Sequence, residues 1–498
     1  MNIPLPCWRG PRGVPPIEDY AFWVPLSTDP VLASDPLRIA LISLHTSPGA
    51  EPGSGDAGGM NVVVRHQAEA LGALGHSVEI LTRRSSPEQP NEMQLAPGVT
   101  LRFLSAGPAA SVPKGEHEKF IDEFRMRMGT LGPYDVIHSH HWFSGMAALP
   151  LAHHWGMPHV QSFHSIAADV STPLSAGERP ESPGRMTGEA WLARESDAVV
   201  AISKAEAHTI MTQLGGPADR VSIVPPGVDG VLFHPAVAEL AEGQTDRGYA
   251  VVAARLQPLK GIDLAIEAIA AVPADLRPDL LVSGDASADF DGYVDELKDL
   301  ASRHGVLPHV HFIGPQSRVD LARLFRDARL VLVPSHSETY GLVALEAAAS
   351  GVPVVAAASG GLREAVVDGV TGMVLESRDP AVWAAAIADI VSNPESARNL
   401  SAAARERAEH FSWARSAEGL LEVYRGLLQA DASAGPGGTG DAGHAGDAVG
   451  QVGGESGRAG SVGRSAFVGG SGVIGRSGFI GGGVSAANHF SNTMQSRS

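Results

Sequence analysis

LRIALISL (Leu37–Leu44) is followed, after a short connection, by SGDAGGMN (Ser54–Asn61) and then by VVVRHQAEALGALG (Val62–Gly75). The first run is apolar enough for a buried strand. The second holds an Asp, adjacent glycines and an Asn, a composition that sustains neither a strand nor a strong helix. In the third, Val63, Ala70, Leu71 and Leu74 suit one helical face. Strand, loop and helix in this order place the loop where a phosphate or a sugar binds. Gly58 and Gly59 lack Cβ, so their backbone can approach a ligand closely and offer N–H donors. Asn61 stands where it caps the helix and still reaches a hydroxyl. A tight turn with a helix N-cap has the same composition, and this loop alone does not decide between the two.

Outward from this unit the pattern repeats. Apolar runs alternate with helical periodicity at Arg38–Leu44, Val78–Thr82, Thr100–Leu104, Asp135–His138, His159–Ser162, Ala198–Ser203 and Val221–Val224. PPGVD (Pro225–Asp229) then interrupts it. A second series follows at Tyr249–Ala254, Leu280–Ser283, His309–Ile313, Leu330–Pro334 and Val354–Ala357. Several runs are apolar throughout, as strands covered on both faces are. Strands alternating with helices imply parallel sheets with right-handed crossovers. The expected fold is therefore α/β, with two doubly wound, Rossmann-like domains hinged near residues 225–247. Ligands bind outside the carboxyl ends of such strands, in the cleft between the domains.

The expected divisions are a Pro-rich extension (1–36), a first domain (37–226), a second domain (227–411), a last amphipathic helix (412–430) and a tail (431–498). The tail carries 20 of the 58 glycines in 68 residues and is expected to be disordered, because it cannot bury enough surface to offset its ordering entropy. Its GSGVIG (Gly470–Gly475) matches the dinucleotide fingerprint in form only, since no strand precedes it and no helix follows.

The chain of 498 residues is too long for one ordinary core, and its 44% apolar content fills large ones. A formal charge of −18 argues against a nucleic acid or an anionic membrane as partner, while leaving room for a local basic pocket. Cys7 is the only cysteine, which excludes an intrachain disulfide and a multi-cysteine metal site. MNIPLPCWRGPRGVPP, at the start, lacks the apolar core of a signal peptide. No stretch approaches the ~20 apolar residues that span a bilayer. A soluble cytoplasmic protein with small-molecule substrates is expected.

Two further stretches carry chemistry. In ARLQPLKGIDLAIEA (Ala254–Ala268), Arg255 and Lys260 sit past a strand and before a helix. Two cations at a helix N-terminus make a strong anion site, and fixed cations stabilise the charge that develops on a departing diphosphate. The bland reading is solvated surface charge. In SHSETYGLVALEAAASGVPVV (Ser335–Val355), Glu338 lies in a loop after a strand, Gly341 releases the turn and a helix starts near Leu342. Glu346 follows eight residues after Glu338, and such carboxylates accept from sugar or ribose hydroxyls. Alone, either would be good capping.

Glu338-x7-Glu346, with Arg255 and Lys260 before it, resembles the retaining GT-B glycosyltransferases of glycosyltransferase family 4 over about residues 37–428. LHTSP, GSGDAGGMNV, HSHHWFSG, FHSIAA and RMTGE narrow the resemblance to the D-inositol-3-phosphate glycosyltransferases of mycothiol biosynthesis. The resemblance implies a GT-B fold, UDP-N-acetylglucosamine as donor and inositol 3-phosphate as acceptor. It implies an acceptor site of His45, Asp56, Ala57, Gly58, Gly59, Met60, Asn61, Lys114, His141, Ser165 and Arg185, with Lys114 and Arg185 clamping the phosphate. It implies that Glu51, Pro52, Gly59, Arg255, Lys260, Gln316, Glu338 and Glu346 hold the UDP-sugar. Glu346 would accept from ribose, Glu338 would touch the sugar, and His164 would contact the sugar in transfer. His164, Arg255, Lys260 and Glu338 form the implied catalytic set. The resemblance also implies magnesium at Phe325, Arg326, Ala328 and Val352, and a homodimer.

The chain departs from the family pattern at His141 (commonly Tyr), Ser165 (commonly Thr) and Glu51-Pro52 (usually Gln-Pro). Lysines common after the HT(L)A motif are replaced in HSIAADVS. Histidines one and two residues apart in HSHH (His138–His141) cannot all face one ion, so packing and sugar contacts are favoured there over zinc. His153 and His154 read as helix surface. Rival readings are a transferase with fructose 6-phosphate or a lipid-linked inositol as acceptor, a UDP-sugar epimerase and a non-catalytic nucleotide-sugar binder. A lipid acceptor would need an apolar or basic membrane-facing surface. An epimerase would need an acid/base pair in place of an acceptor-phosphate clamp.

Overall fold

The structure is a computed structural model that describes residues 35–50, 58–167, 184–236, 248–285, 290 and 292–433. Most of the N-terminal extension, residues 237–247 of the hinge segment, and the tail from residue 434 with Gly470–Gly475 lie outside the described residues.

Eight strands form the first sheet: β1 (Arg38–Ser43), β2 (Ser77–Arg83), β3 (Glu92–Ala96), β4 (Val99–Leu104), β5 (Val136–His140), β6 (His159–Ser162), β7 (Ala198–Ala201) and β8 (Val221–Ile223). Their order is β3-β4-β2-β1-β5-β6-β7-β8, parallel except for β3, which runs antiparallel to β4. Between them run α1 (Gly59–Ala73), α2 (Ile121–Met128), α3 (Trp142–Trp155), α4 (Arg185–Glu195) and α5 (Lys204–Thr212). β7 stops two residues before the expected Ser203. There the Ser203 hydroxyl turns to accept from the Glu206 N–H at 3.0 Å and caps α5, which pulls the chain out of the strand.

The second sheet has six parallel strands: β9 (Tyr249–Ala253), β10 (Asp279–Ser283), β11 (Val310–Gly314), β12 (Leu330–Val333), β13 (Val354–Ala357) and β14 (Gly372–Leu375), ordered β11-β10-β9-β12-β13-β14. Its helices are α6 (Ile262–Ala271), α7 (Tyr293–Arg303), α8 (Arg318–Arg326), α9 (Leu342–Ala349), α10 (Leu362–Ala365), α11 (Pro380–Ser392) and α12 (Pro394–Glu409). α13 (Trp413–Ser433) completes the described chain. Both sheets are sandwiched between helices, so central strands such as β5, β6, β12 and β13 are buried along their whole length.

α1 differs from expectation. It buries Val62, Val63, Val64, Ala68 and Leu71 together with Asn61 and Gln67. Leu74, assigned to the buried face by periodicity, is 44% exposed past the helix end. The helix is covered on two sides. Val64, Ala68 and Leu71 pack on the first sheet, while Val62 and Val63 meet Trp413 and Leu342.

α13 follows the second sheet in sequence but packs on the first. Ala417, Leu420, Leu421 and Tyr424 join Ile39, Leu41 and Leu71 in one core. Val228 N–H donates to Phe411 C=O at 2.9 Å, so the outgoing and returning chains run side by side. A Cβ on Gly227 would lie 2.3 Å from Trp413 N, which leaves no room for any other residue at this crossing. The Tyr424 hydroxyl bonds His138 Nδ1 at 2.7 Å. Ser162 gives its proton to Val200 C=O and accepts from His138 Nε2–H at 2.9 Å, so Nδ1 of the neutral ring accepts from Tyr424.

Tyr424→Phe is therefore expected to strand a buried acceptor and cost about 1–3 kcal/mol. A lowered urea midpoint with an unchanged slope would match. An unchanged midpoint would show that this bond does not hold α13.

Candidate functional site

β1 lies between β2 and β5, and β9 lies between β10 and β12. Strand order reverses at both places, so the loops after these strands diverge and leave a crevice at the carboxyl edge. The two crevices face each other across a cleft of about 370 Å³. Among the described residues, Lys114, Arg255, Lys260 and Arg318 line it, with Glu338 and Glu346 as the carboxylates. The described lining is thus positive in a chain of net charge −18.

In the second lobe, Lys260 Nζ lies 2.5 Å from Glu338 Oε1, which also accepts from the Ser335 hydroxyl at 3.0 Å. Lys260 can stand there because Gly261 turns the chain at φ +66°, and a Cβ at that glycine would lie 2.2 Å from Pro334 C=O. Gly341, at φ +103°, opens α9 with no side-chain cap. Glu346 is buried in this helix, and Arg318 Nη1 donates to its Oε1 at 2.8 Å. Burial pushes the Glu346 carboxyl up, and Arg318 opposes that. Gln316 donates its amide to Ile313 C=O at 2.9 Å.

In the first lobe the loops after β1, β5 and β6 carry histidines. His45 and His141 pack at 4.3 Å between ring centroids, with His117 and Phe143 beside them. Burial lowers both pKa values well below 6.5. The Lys114 and Arg185 charges add to this in both rings. Neutral imidazoles donate from one nitrogen and accept at the other, a suitable wall for a polyol. Among the described residues, His45 Nδ1 and both His141 nitrogens are buried without a protein partner. His141 and His164 have φ of +71° and +61°, strained for non-glycine residues, and both line the cleft. Burial lowers His164 to about 4.

Of the residues named from sequence, His45, Gly58, Gly59, Met60, Asn61, Lys114, His141, His164, Ser165, Arg255, Lys260, Gln316, Glu338 and Glu346 line the cleft. Arg185 stands behind it. Its Nη2 donates to Ser165 C=O and Oγ at 2.9 and 3.1 Å, and its Nε is 2.8 Å from Glu189. Glu51, Pro52, Asp56 and Ala57 lie outside the described residues. Asn61 is not a cap. Gly58 is the N-cap of α1, and the Asn61 amide donates to Thr46 Oγ1 and Ser47 C=O at 2.8 Å, tying the helix to the loop after β1. Gly58 is extended at φ −139°, and a Cβ there would come 3.7 Å from Arg255 Nε of the other lobe.

Phe325, Arg326, Ala328 and Val352 do not line the cleft. Phe325 and Val352 sit in an apolar core, Arg326 points its guanidinium at Leu232 and His234 carbonyls, and the Phe325 carbonyl already accepts from Ala328 N–H. Magnesium takes an octahedral shell of hard oxygens, usually including a carboxylate, and these four positions offer main-chain carbonyls beside a cation. The four positions bring carbonyl donors without a carboxylate of their own, and no step is routed through the ion. His138 and His140 are buried and bonded within the fold, while His153 and His154 are exposed. Arg318 and Thr339 line the cleft and were not foreseen. Their roles depend on partners 28 and 175 residues away, which no local pattern signals.

The family models for "Glycosyl transferases group 1" and "Glycosyl transferase 4-like domain" match residues 220–407 and 58–227. The chain is 39% identical over 413 residues to the D-inositol 3-phosphate glycosyltransferase of Stackebrandtia nassauensis, covering 80% of this chain and 93% of that one. Among solved structures it resembles sucrose-phosphate synthase from Thermosynechococcus elongatus, with a TM-score of 0.73, 29% identity, and coverage of 79% of this chain and all of that one. The fold also matches Anabaena Alr3699/HepE in complex with UDP-glucose, at TM-score 0.61 and 19% identity, covering 80% of this chain and all of that one.

Six histidines, the buried His138, His140, His141 and His159 and the half-buried His45 and His164, are held below 6.5, His159 at about 3, with desolvation the largest cause in each. The unfolded chain takes up protons near 6.5 and the folded chain does not. Stability is thus present above 6.5 and lost as pH falls, by up to about 1.4 kcal/mol per pH unit for each ring. Glu206, raised by burial to about 7, and Glu346 act in the opposite sense but are fewer. The urea midpoint is expected to be clearly lower at pH 5 than at pH 7.5. Equal midpoints would contradict neutral burial.

Proposed function

The chain belongs to the family of the D-inositol 3-phosphate glycosyltransferases, and on that premise we propose that it transfers N-acetylglucosamine from UDP-N-acetylglucosamine to 1D-myo-inositol 3-phosphate, the first glycosylation step of mycothiol biosynthesis. It is a glycosyltransferase enzyme of GT-B fold. No helix among the described residues is long and apolar enough to cross a membrane, and we place the enzyme in the cytoplasm with small-molecule substrates. The observation that carries the reading is the placement of cations on both walls of one cleft, Lys114 on the first lobe and Arg255 with Lys260 on the second.

In this reading the donor diphosphate lies against Arg255 and Lys260. Lys260 then divides its charge between phosphate and Glu338, and Glu338 turns a carboxylate oxygen to the sugar hydroxyls. Arg318 occupies Glu346 Oε1, which leaves Oε2 to accept from ribose. The acceptor phosphate sits by Lys114 and Ser165, with Arg185 fixing Ser165 from behind. His45 and His141 exchange hydrogen bonds with the ring hydroxyls.

The bond between the anomeric carbon and the phosphate oxygen breaks as the acceptor oxygen bonds the same face, so configuration is retained. The proton of the acceptor hydroxyl passes to the departing phosphate oxygen. Arg255 and Lys260 stabilise the charge on that phosphate, which is where fixed cations lower the barrier. No side-chain nucleophile is required.

A second reading keeps the donor wall and replaces the acceptor by fructose 6-phosphate, and the likeness to sucrose-phosphate synthase favours it. The two share an acceptor phosphate and differ in the polyol. UDP release from UDP-N-acetylglucosamine is expected with inositol 3-phosphate and not with inositol. Release with fructose 6-phosphate instead would establish the second reading, and release with none would contradict both. Lys260→Ala is expected to lower kcat by ~10²-fold or more while leaving Tm within a few degrees. An unchanged rate would remove Lys260 from the site.

A further inference from the structure

His164 stands on the acceptor lobe in a left-handed conformation, φ +61°. Such a conformation costs roughly 1–2 kcal/mol for a non-glycine residue and persists only where the surroundings hold it. Two groups do so here. His140 Nδ1 lies 2.8 Å from His164 Nε2, with the two rings stacked at 5.1 Å. The second comes from the other lobe, where the Thr339 hydroxyl donates to His164 C=O at 2.8 Å.

Thr339 is the neighbour of Glu338, whose carboxylate pairs with Lys260. A continuous path thus runs from the cation wall, through one peptide of the donor lobe, to the backbone of a residue in the acceptor lobe. A second contact also joins the two lobes. Glu364 of α10 caps the first turn of α5, accepting from Lys204 N–H and Ala205 N–H at 2.9 Å each.

We infer that Thr339 is a positioning residue for the transfer: its hydroxyl fixes the His164 carbonyl across the cleft, so His164 reaches its working geometry only when the lobes are closed. The inference rests on the reading of the cleft as the transfer site. Thr339 need not touch either substrate, and it does not set the affinity for the nucleotide. It sets the fraction of bound complexes in which the acceptor wall is correctly formed, which appears in kcat.

The test uses the full chain with UDP-N-acetylglucosamine and inositol 3-phosphate, and compares Thr339→Val, which keeps the shape, with Thr339→Ser, which keeps the hydroxyl. The valine variant is expected to lose about tenfold in kcat, to bind UDP within about twofold of the parent by calorimetry, and to be restored by serine to within about threefold. UDP binding in the valine variant also reports an intact fold. The inference is overturned if valine keeps the parental kcat, if UDP affinity falls in proportion to kcat, or if serine is as slow as valine. A parent chain with no turnover on either phosphorylated acceptor overturns the transfer reading and this inference together, whereas an active parent matched by the valine variant overturns only this one.

Discussion

The pairing of Lys260 with Glu338, 2.5 Å apart and about four-fifths buried on each side, is the interaction from which the rest of the site follows. Removing an ammonium from bulk water is costly unless a partner compensates. Glu338 supplies that compensation, and Ser335 holds the carboxylate still. The pair thus keeps a positive group at the wall of a narrow cleft in a chain that is acidic as a whole. A second pair, Arg318 with Glu346, repeats the arrangement deeper in the same lobe. In the proposed reading, each pair joins a cation for the phosphates or the protein frame to a carboxylate for hydroxyls. The charged groups of the second-lobe wall therefore come largely from charge pairs.

The constraint has consequences in the other lobe. The two lobes approach each other across the cleft, where the Gly58 backbone faces the Arg255 side chain. Closing also traps polar groups. The first lobe answers with neutral histidines, and burial together with the nearby cations keeps their protons off. Charged histidines beside Lys114 and Arg185 would repel an already positive wall. In the proposed reading, neutral ones leave the positive charge for a phosphate and offer hydrogen bonds to hydroxyls. α13 completes the lobe by returning across the hinge, so the acceptor wall is backed by a helix that follows the donor lobe in sequence.

Much of this was legible in the sequence, for identifiable reasons. Wholly apolar runs such as VVAA (Val354–Ala357) read as buried strands because helices cover both faces. β3 was missed because EMQLA is an exposed, antiparallel edge with no apolar run, and β14 because GMVL is short. The buried face of α1 was misread because the helix is covered by the sheet and by α13 and α9 together, which widens its stripe beyond one face. Arg255, Lys260, Glu338 and Glu346 could be placed beside the cleft because each follows a strand end or the helix that it leads into. Asn61 was read as a cap, whereas its amide bonds the loop after β1. Thr339 and Arg318 were invisible because their partners are set by the tertiary fold.

The central claim is that positive charge from the second lobe grips a diphosphate inside the closed cleft. The most direct test compares the affinities of UDP and uridine, by calorimetry at fixed ionic strength, for the parent chain and for the Arg255→Met/Lys260→Met variant. The account predicts that the parent prefers UDP by about 100-fold or more and that the variant loses most of this preference while still binding uridine. A variant that keeps the full preference for UDP would contradict it.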